Sequence, residues 1–216
     1  MARTAHPDSR MEPTRIVLAR HGRTAYNTAQ RFRGRDDPPL DAEGTREVEL
    51  LARAMAALRP AALYASPRRR AQDTAAAIAR ATRAGVVVEA ALDDLDYGHW
   101  TGLTHDEVRT AQPDDWATWM TDPRRVTFPG GESLEAALSR LWIALSTVAT
   151  RHPAELVVVV TRDAAVRLLV CRLLGAPLEA FHRVQIHTAS TSGVELYGDR
   201  WELAWLNATG HLSPGP

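Results

Sequence analysis

The chain carries a single cysteine, Cys171, so no internal disulfide can hold it together and a disulfide-stapled scaffold is excluded. Cys171 lies in the run Val170-Cys171-Arg172-Leu173-Leu174, where a buried, inert thiol is expected rather than a nucleophile. Net charge is also lacking, because 26 Lys+Arg balance 26 Asp+Glu. No global basic field recruits nucleic acid, and no acidic one a cationic partner. No stretch approaches the ~20 consecutive apolar residues of a membrane helix. Residues 1–13 are polar, with scattered Arg and Pro. They lack the apolar centre of a signal peptide and read as a disordered leader. No His/Cys/Asp/Glu group has metal-ligand spacing, and no cofactor is called for. The remainder is ordinary globular composition, 45% apolar and 24% charged over 216 residues, which predicts one domain over 14–212 in a cytoplasmic protein. A homodimer is compatible with this composition.

Without repeats or linkers, the elements alternate in a βα pattern. This predicts a three-layer α/β/α fold with a mostly parallel central sheet. Arg15 to Arg20 reads as a buried strand and Leu156 to Val160 as a central one, its run being continuously apolar. Val48, Leu51, Met55 and Leu58 mark a helix from about Gly44 to Leu58. Ala61 to Ala65 is a short strand, followed by Ser66-Pro67 as N-cap and first-turn proline of an Ala-rich helix to about Thr82. Leu134, Leu138, Leu141, Leu145 and Val148 form a further helical stripe, and another helix is expected from about Asp163 to Leu174. Two late strands, near 193–197 and 201–206, flank the turn Gly198-Asp199, and the tail His211 to Pro216 reads as frayed. The stretch from Asp96 to Phe128, with Trp100, Trp116 and Trp119 but weak periodicity, reads as an excursion over one sheet end.

Ligands of open α/β sheets bind beyond the carboxyl ends of the strands. Three such ends carry reactive side chains. The first, Leu18-Ala19-Arg20-His21-Gly22-Arg23-Thr24, sets a cation and a nucleophile beside closely approaching backbone. The second, Ser66-Pro67-Arg68-Arg69-Arg70-Ala71, puts arginines at a helix start, where a guanidinium can grip phosphate bidentately. The third is Thr161-Arg162-Asp163.

Arg20-His21-Gly22-Arg23-Thr24-Ala25-Tyr26-Asn27 resembles the RHGxTxxN signature of the histidine phosphatase superfamily, which includes the phosphoglycerate mutases. The likeness continues in order through Phe32 to Leu40 with Gly44, Ser66 to Ala75, Leu92 to Thr104, Pro129-Gly130-Gly131-Glu132-Ser133 and Trp201 to Leu212. It implies a phosphoglycerate mutase-like fold and a metal-independent phosphatase acting on a small phosphorylated molecule. His21 would be phosphorylated, Arg20 and Arg70 with Asn27 would bind the phosphoryl group, and a carboxylic acid would protonate the leaving oxygen.

Two departures stand out. The family follows its central strand with Ser-His-Gly-Gly, whereas this chain has Thr161-Arg162-Asp163-Ala164. Arg162 can clamp phosphate but cannot exchange a proton. Asp163 is expected either to cap its helix or to recognise a cationic or hydroxyl-rich substrate. The acid position, usually glutamate, is Asp94, with Asp93 and Asp96 as neighbouring alternatives. His187 either replaces the missing histidine or is a structural or surface residue. Arg23 adds charge at the mouth or points to solvent, Arg68 and Arg69 are expected as solvated helix residues, and His99 and His105 are expected at the surface, with substrate contact as the lesser alternative. Three readings follow: a phosphomonoesterase, a repurposed or inactive relative that binds or transforms a non-phosphate ligand, and, ranked last, a mutase.

Overall fold

A computed structural model of the protein describes residues 12–213; most of the expected leader (1–11) and residues 214–216 lie outside them. Six strands form one sheet: β1 (Thr14–Arg20), β2 (Ala62–Ala65), β3 (Val86–Val88), β4 (Leu156–Thr161), β5 (Thr191–Tyr197) and β6 (Arg200–Ala208). The order is β3-β2-β4-β1-β5-β6. The first four strands in that order are mutually parallel, and β5 and β6 add an antiparallel edge beside β1. The sheet is thus mostly parallel, as the βα alternation requires, with the two late strands closing as a hairpin.

Alternation along β1 explains the layers. Ile16 and Leu18 face one side, where they join Leu134, Leu141, Leu145, Leu168 and Leu169. Those leucines come from α6 (Leu134–Arg151) and α7 (Asp163–Leu173). Val17 and Ala19 face the other side, against Val48, Leu51, Ala75 and Ile78 of α2 (Ala42–Met55), which follows the single-turn α1 (Ala25–Thr28), and of α3 (Arg69–Thr82). Burying each apolar face contributes about 25 cal/mol per Å2 removed from water. Cys171 is buried on α7, and burial pushes its thiol up, as expected of an inert group.

Several boundaries differ from the sequence expectation. The N-cap of α3 is Arg68, not Ser66. Ser66 Oγ instead donates to Asp93 Oδ1 at 3.2 Å, and the Arg69 amide is satisfied by Asp37 from a distant loop, at 2.8 and 3.0 Å. β3 has no helical or alternating signature, because its three valines are all exposed at the sheet edge. The excursion contains two short helices, α4 (His105–Ala111) and α5 (Pro113–Thr121). The tail is not frayed where it is described: Gly210–Leu212 forms a 3-10 turn, and His211 Nε2 donates to Ala189 O at 2.9 Å.

Two glycine contacts set the loops over the sheet end. A Cβ on Gly44 would lie 2.0 Å from Arg23 O, and one on Gly22 would lie 2.5 Å from Gly44 O. The turn after β1 therefore packs backbone to backbone on the start of α2. A Cβ on Gly98, at φ +49°, would lie 2.1 Å from the Pro129 carbonyl oxygen, so the Pro129-Gly130-Gly131 turn packs backbone to backbone on the segment around Gly98.

Candidate active site

His21 is fixed by its neighbours before its side chain is considered. Its amide donates to Thr161 O at 3.1 Å and its carbonyl accepts from Ala189 N at 3.1 Å, so the loop after β1 is stitched to the ends of β4 and β5. Gly22 N donates to Thr74 Oγ1 at 3.3 Å, which ties the same loop to α3. The imidazole is completely buried. Its Nδ1 donates to Gly22 O at 2.6 Å, a partner that can only accept and so fixes the tautomer. Nε2 is left with its lone pair and no partner. Burial first, then the guanidiniums of Arg70, Arg20, Arg162 and Arg33, hold the imidazole well below the usual histidine range. A neutral ring with Nε2 free is the state a nucleophile needs.

Four guanidinium charges act on that imidazole. Arg20, at the end of β1, donates through Nη1 to Ile186 O, while its Nε has no partner. Arg70, in the first turn of α3, donates through Nη1 to Asp36 O at 2.8 Å, leaving Nε and Nη2 unpartnered. Arg162, the N-cap of α7, leaves its Nε unpartnered. Burial lowers Arg20 and Arg70 to about 10, so both remain cationic at neutral pH. The fourth, Arg33, was not singled out from the sequence. It is 8% exposed, and its charge reaches His21, Arg20, Arg70 and Arg162.

The three acidic neighbours separate by their partners. Asp93 is gripped by Arg68 Nε at 2.9 and 3.0 Å, which takes Arg68 off the solvent-exposed face expected of it. Asp96 accepts from Gly98 N at 3.0 Å and pairs with Arg35 at 3.0 Å. Asp94, 2% exposed, is paired with Arg162 alone. Its backbone is held by Arg140 of α6, a second residue not singled out from the sequence. Arg140 donates to Ala91 O at 2.8 Å, Asp93 O at 2.9 Å and Asp94 O at 3.0 Å. The arginine seven residues after the Ser133 cap was the available signal.

Asp163 does not cap α7; it is the first helical residue, after Arg162. Its carboxylate lies 3.8 Å from Arg20, 3.8 Å from Arg162 and 4.0 Å from Arg167. Burial alone would raise it, but Arg20, Arg33, Arg167 and Arg162 hold it well below the usual carboxylate range. The pair Arg162-Asp163 thus adds one positive and one negative charge next to each other.

Some of these residues line a cavity of about 660 Å3: Arg20, Asn27, Arg162 and Asp163, together with Arg23 and His187. His21, Arg70 and Asp94 are buried and do not line it. Asn27 Oδ1 accepts from Thr24 N and Oγ1, both at 2.9 Å. Arg23 is paired with Asp41 at 2.9 Å. His187 is exposed and bonded to Asn207, its Nδ1 accepting from Nδ2 at 2.8 Å. His105 is half-buried and lines the cavity, 4.8 Å from the Phe32 ring and 5.4 Å from Trp116. Trp119, 4% exposed, anchors the wall against Phe128 and Phe181, while Trp116 is partly open to the cavity. Among the described residues, no His/Cys/Asp/Glu group could hold a metal ion, and no helix is long and apolar enough to cross a membrane.

The comparisons with known proteins agree with this geometry. Residues 16–209 match the model of the histidine phosphatase superfamily, branch 1. Phosphoserine phosphatase 1 of Hydrogenobacter thermophilus is 33% identical over 198 residues, covering 92% of this chain and 94% of the relative. The metal-independent phosphoserine phosphatase of Arabidopsis thaliana is 30% identical over 94% of this chain and 84% of its own length. In structure, Bacillus stearothermophilus YhfR superposes with a TM-score of 0.89 at 26% identity, over 93% of this chain and 100% of that one. With a matched family model over nearly the whole sheet and an Arg20-His21-Gly22 turn at its carboxyl end, the chain belongs to the histidine phosphatase superfamily, branch 1.

Proposed function

We propose that the protein is a cytoplasmic phosphatase. It hydrolyses a small phosphomonoester through a phosphohistidine on His21, within one domain over residues 14–212. One observation carries the reading: the partner-free Nε2 of His21 is buried within the fields of Arg20, Arg70 and Arg162, each of which keeps a buried N–H group without an acceptor. Leaving such donors unpaired costs about 1–3 kcal/mol each, more when charged. A phosphoryl dianion supplies the missing acceptors. The relatives named as phosphoserine phosphatases support the reaction class.

The chemistry proceeds in two displacements. The ester enters as its monoanion and leaves its proton on Asp94 as Arg162 turns from that carboxylate to the phosphoryl oxygens. His21 Nε2 attacks phosphorus as the ester P–O bond breaks, and the departing oxygen takes that proton from Asp94. Arg20, Arg70 and Arg162 meet the charge on the non-bridging oxygens, with Asn27 at the edge of the same loop. Water then attacks the phosphohistidine and gives a proton to Asp94, which passes it to the departing phosphate, restoring neutral His21 and the Arg162–Asp94 pair.

The same pair favours the second reading, a repurposed relative, since an arginine stands where the family has a histidine. The deciding test measures phosphate release from a panel of phosphomonoesters by the wild type and by His21→Ala. Release that vanishes in the variant supports hydrolysis. A wild type that binds the esters but turns none over supports the repurposed reading.

A further inference from the structure

The peptide unit between Gly22 and Arg23 carries two hydrogen bonds that bear on the nucleophile. Its carbonyl, Gly22 O, accepts from His21 Nδ1 at 2.6 Å and so sets both the tautomer and the direction of the ring. Its amide, Arg23 N, donates to Glu47 Oε2 at 2.8 Å. A peptide unit is planar, so the carbonyl cannot turn without the amide, and holding one end holds the other. A carboxylate on the N–H also polarises the unit and makes its oxygen a better acceptor. Glu47 thus reaches His21 through one rigid plane.

The second oxygen of Glu47 acts on the same histidine from another side. Oε1 accepts from Thr188 Oγ1 at 2.7 Å. The next residue, Ala189, donates its amide to His21 O at 3.1 Å. Ala189 is fully buried at φ +50°, a left-handed conformation that an alanine keeps only where its neighbours hold it. Asn207 fixes the His187 amide and His211 the Ala189 carbonyl, and Glu47 fixes the Thr188 side chain between them.

The helix explains the placement. Glu47 stands three residues after Gly44 and directly before Val48 on α2, and those two residues pack on Arg23 and Gly22, so Glu47 shares the face turned to the nucleophile loop. Among the described residues its donors are one amide and one hydroxyl, and no arginine pairs with it. Its carboxylate is therefore not there to balance a partner cation.

We propose that Glu47 is a positioning residue for the nucleophile: through the Gly22–Arg23 peptide and through Thr188 it fixes the His21 imidazole for attack. The inference rests on reading His21 as the phosphoryl acceptor.

The test compares Glu47→Gln with Glu47→Ala in steady-state turnover of a phosphomonoester and in amide hydrogen exchange. Glu47→Ala should lower kcat by about 10–100-fold, the range for losing a group that orients a functional histidine from behind. Its KM should change by less than about threefold, since no substrate contact is lost. The carboxamide of Glu47→Gln keeps an oxygen for Arg23 N and can turn its N–H to the Thr188 oxygen. It should hold kcat within about fivefold of the wild type, a neutral bond replacing one roughly twice as strong. In Glu47→Ala the Arg23 and Ala189 amides should exchange about tenfold faster or more, while those of β1 and β4 keep their rates, the mark of local loosening rather than lower global stability. Wild-type kcat in Glu47→Ala would overturn the proposal, as would a loss confined to KM, a Glu47→Gln as slow as Glu47→Ala, or exchange quickened equally throughout the sheet. Exchange and turnover also separate the two readings. Local quickening in a protein whose wild type releases no phosphate keeps the clamp on the loop and removes hydrolysis; release with exchange unchanged keeps hydrolysis and removes the clamp.

Discussion

Replacing Asp94 by alanine tests the charge balance of the site in a way that activity alone cannot. Asp94 and Arg162 are each 2% exposed and pair directly, so the substitution leaves a buried guanidinium among Arg20, Arg33 and Arg70 with its closest counter-charge removed. Breaking a buried pair from one side costs about 3–5 kcal/mol. For a chain of this size each kcal/mol moves Tm by roughly 2–4 °C, so the expected fall is about 6–20 °C. The same argument predicts that anions rescue the variant. Phosphate replaces the lost negative charge and should bind the variant more tightly than the wild type, with stabilisation growing as RT ln(1 + [L]/Kd), about 2.7 kcal/mol at a hundredfold excess over Kd. Turnover should fall by about 10^2–10^4, the range for a lost general acid. Thermal unfolding monitored by circular dichroism, with phosphate titrated against each protein, measures both stability effects. A Tm within 2 °C of the wild type would refute the reasoning, as would phosphate stabilising the wild type more than the variant.

Further consequences can be checked independently. His21 is held below the ordinary histidine range, so the unfolded chain takes up its proton near pH 6.5 while the folded chain does not. Stability present above pH 6.5 is therefore lost as pH falls, by up to about 1.4 kcal/mol per unit. Urea titrations at pH 5, 6 and 7 should show a shallower slope for His21→Gln, and identical slopes would contradict this. Gly44→Ala forces a methyl group against the Arg23 carbonyl and should cost about 2–4 kcal/mol, with activity lost in proportion to the disturbed His21 turn. A variant as stable as the wild type would mean that the backbone contact is not tight. Arg140→Gln removes the donors on Ala91, Asp93 and Asp94 carbonyls. It should lower kcat more than it raises KM, and most for esters with poor leaving groups; an equal loss for aryl and alkyl esters would count against its positioning Asp94.

The parts of this architecture visible in the sequence are those whose signals are local. Arg20-His21-Gly22 could be placed because a buried strand ends there, whereas the helix start after the next strand offered three arginines, and only the family resemblance singled out Arg70. The continuous apolar run of β4 marked a central strand in the same local way. What escaped depends on contacts distant in sequence. Arg33 lies in a loop without periodicity, and it reaches the site because Phe32 packs on Tyr97 and Trp100 at 5.0 and 5.1 Å. The Phe32 backbone is also clamped from both sides, its amide donating to Leu103 O at 2.9 Å and its carbonyl accepting from Gly102 N at 2.7 Å. The start of α3 is set by Asp37, 32 residues away, so Ser66-Pro67 gave a boundary two residues early. β3 is an edge strand of exposed valines that only pairing with β2 defines. Asp163 could be read as a cap from its position, yet its partners come from β1 and from one turn along α7.

The central claim is that His21 carries the phosphoryl group between ester and water. Rapid-quench reaction of the wild type with a 32P-labelled phosphomonoester tests it directly. The account predicts an acid-labile, base-stable label on the peptide containing His21, formed before phosphate is released and absent from His21→Ala. Phosphate release with no labelled enzyme, or release that persists in His21→Ala, would contradict it.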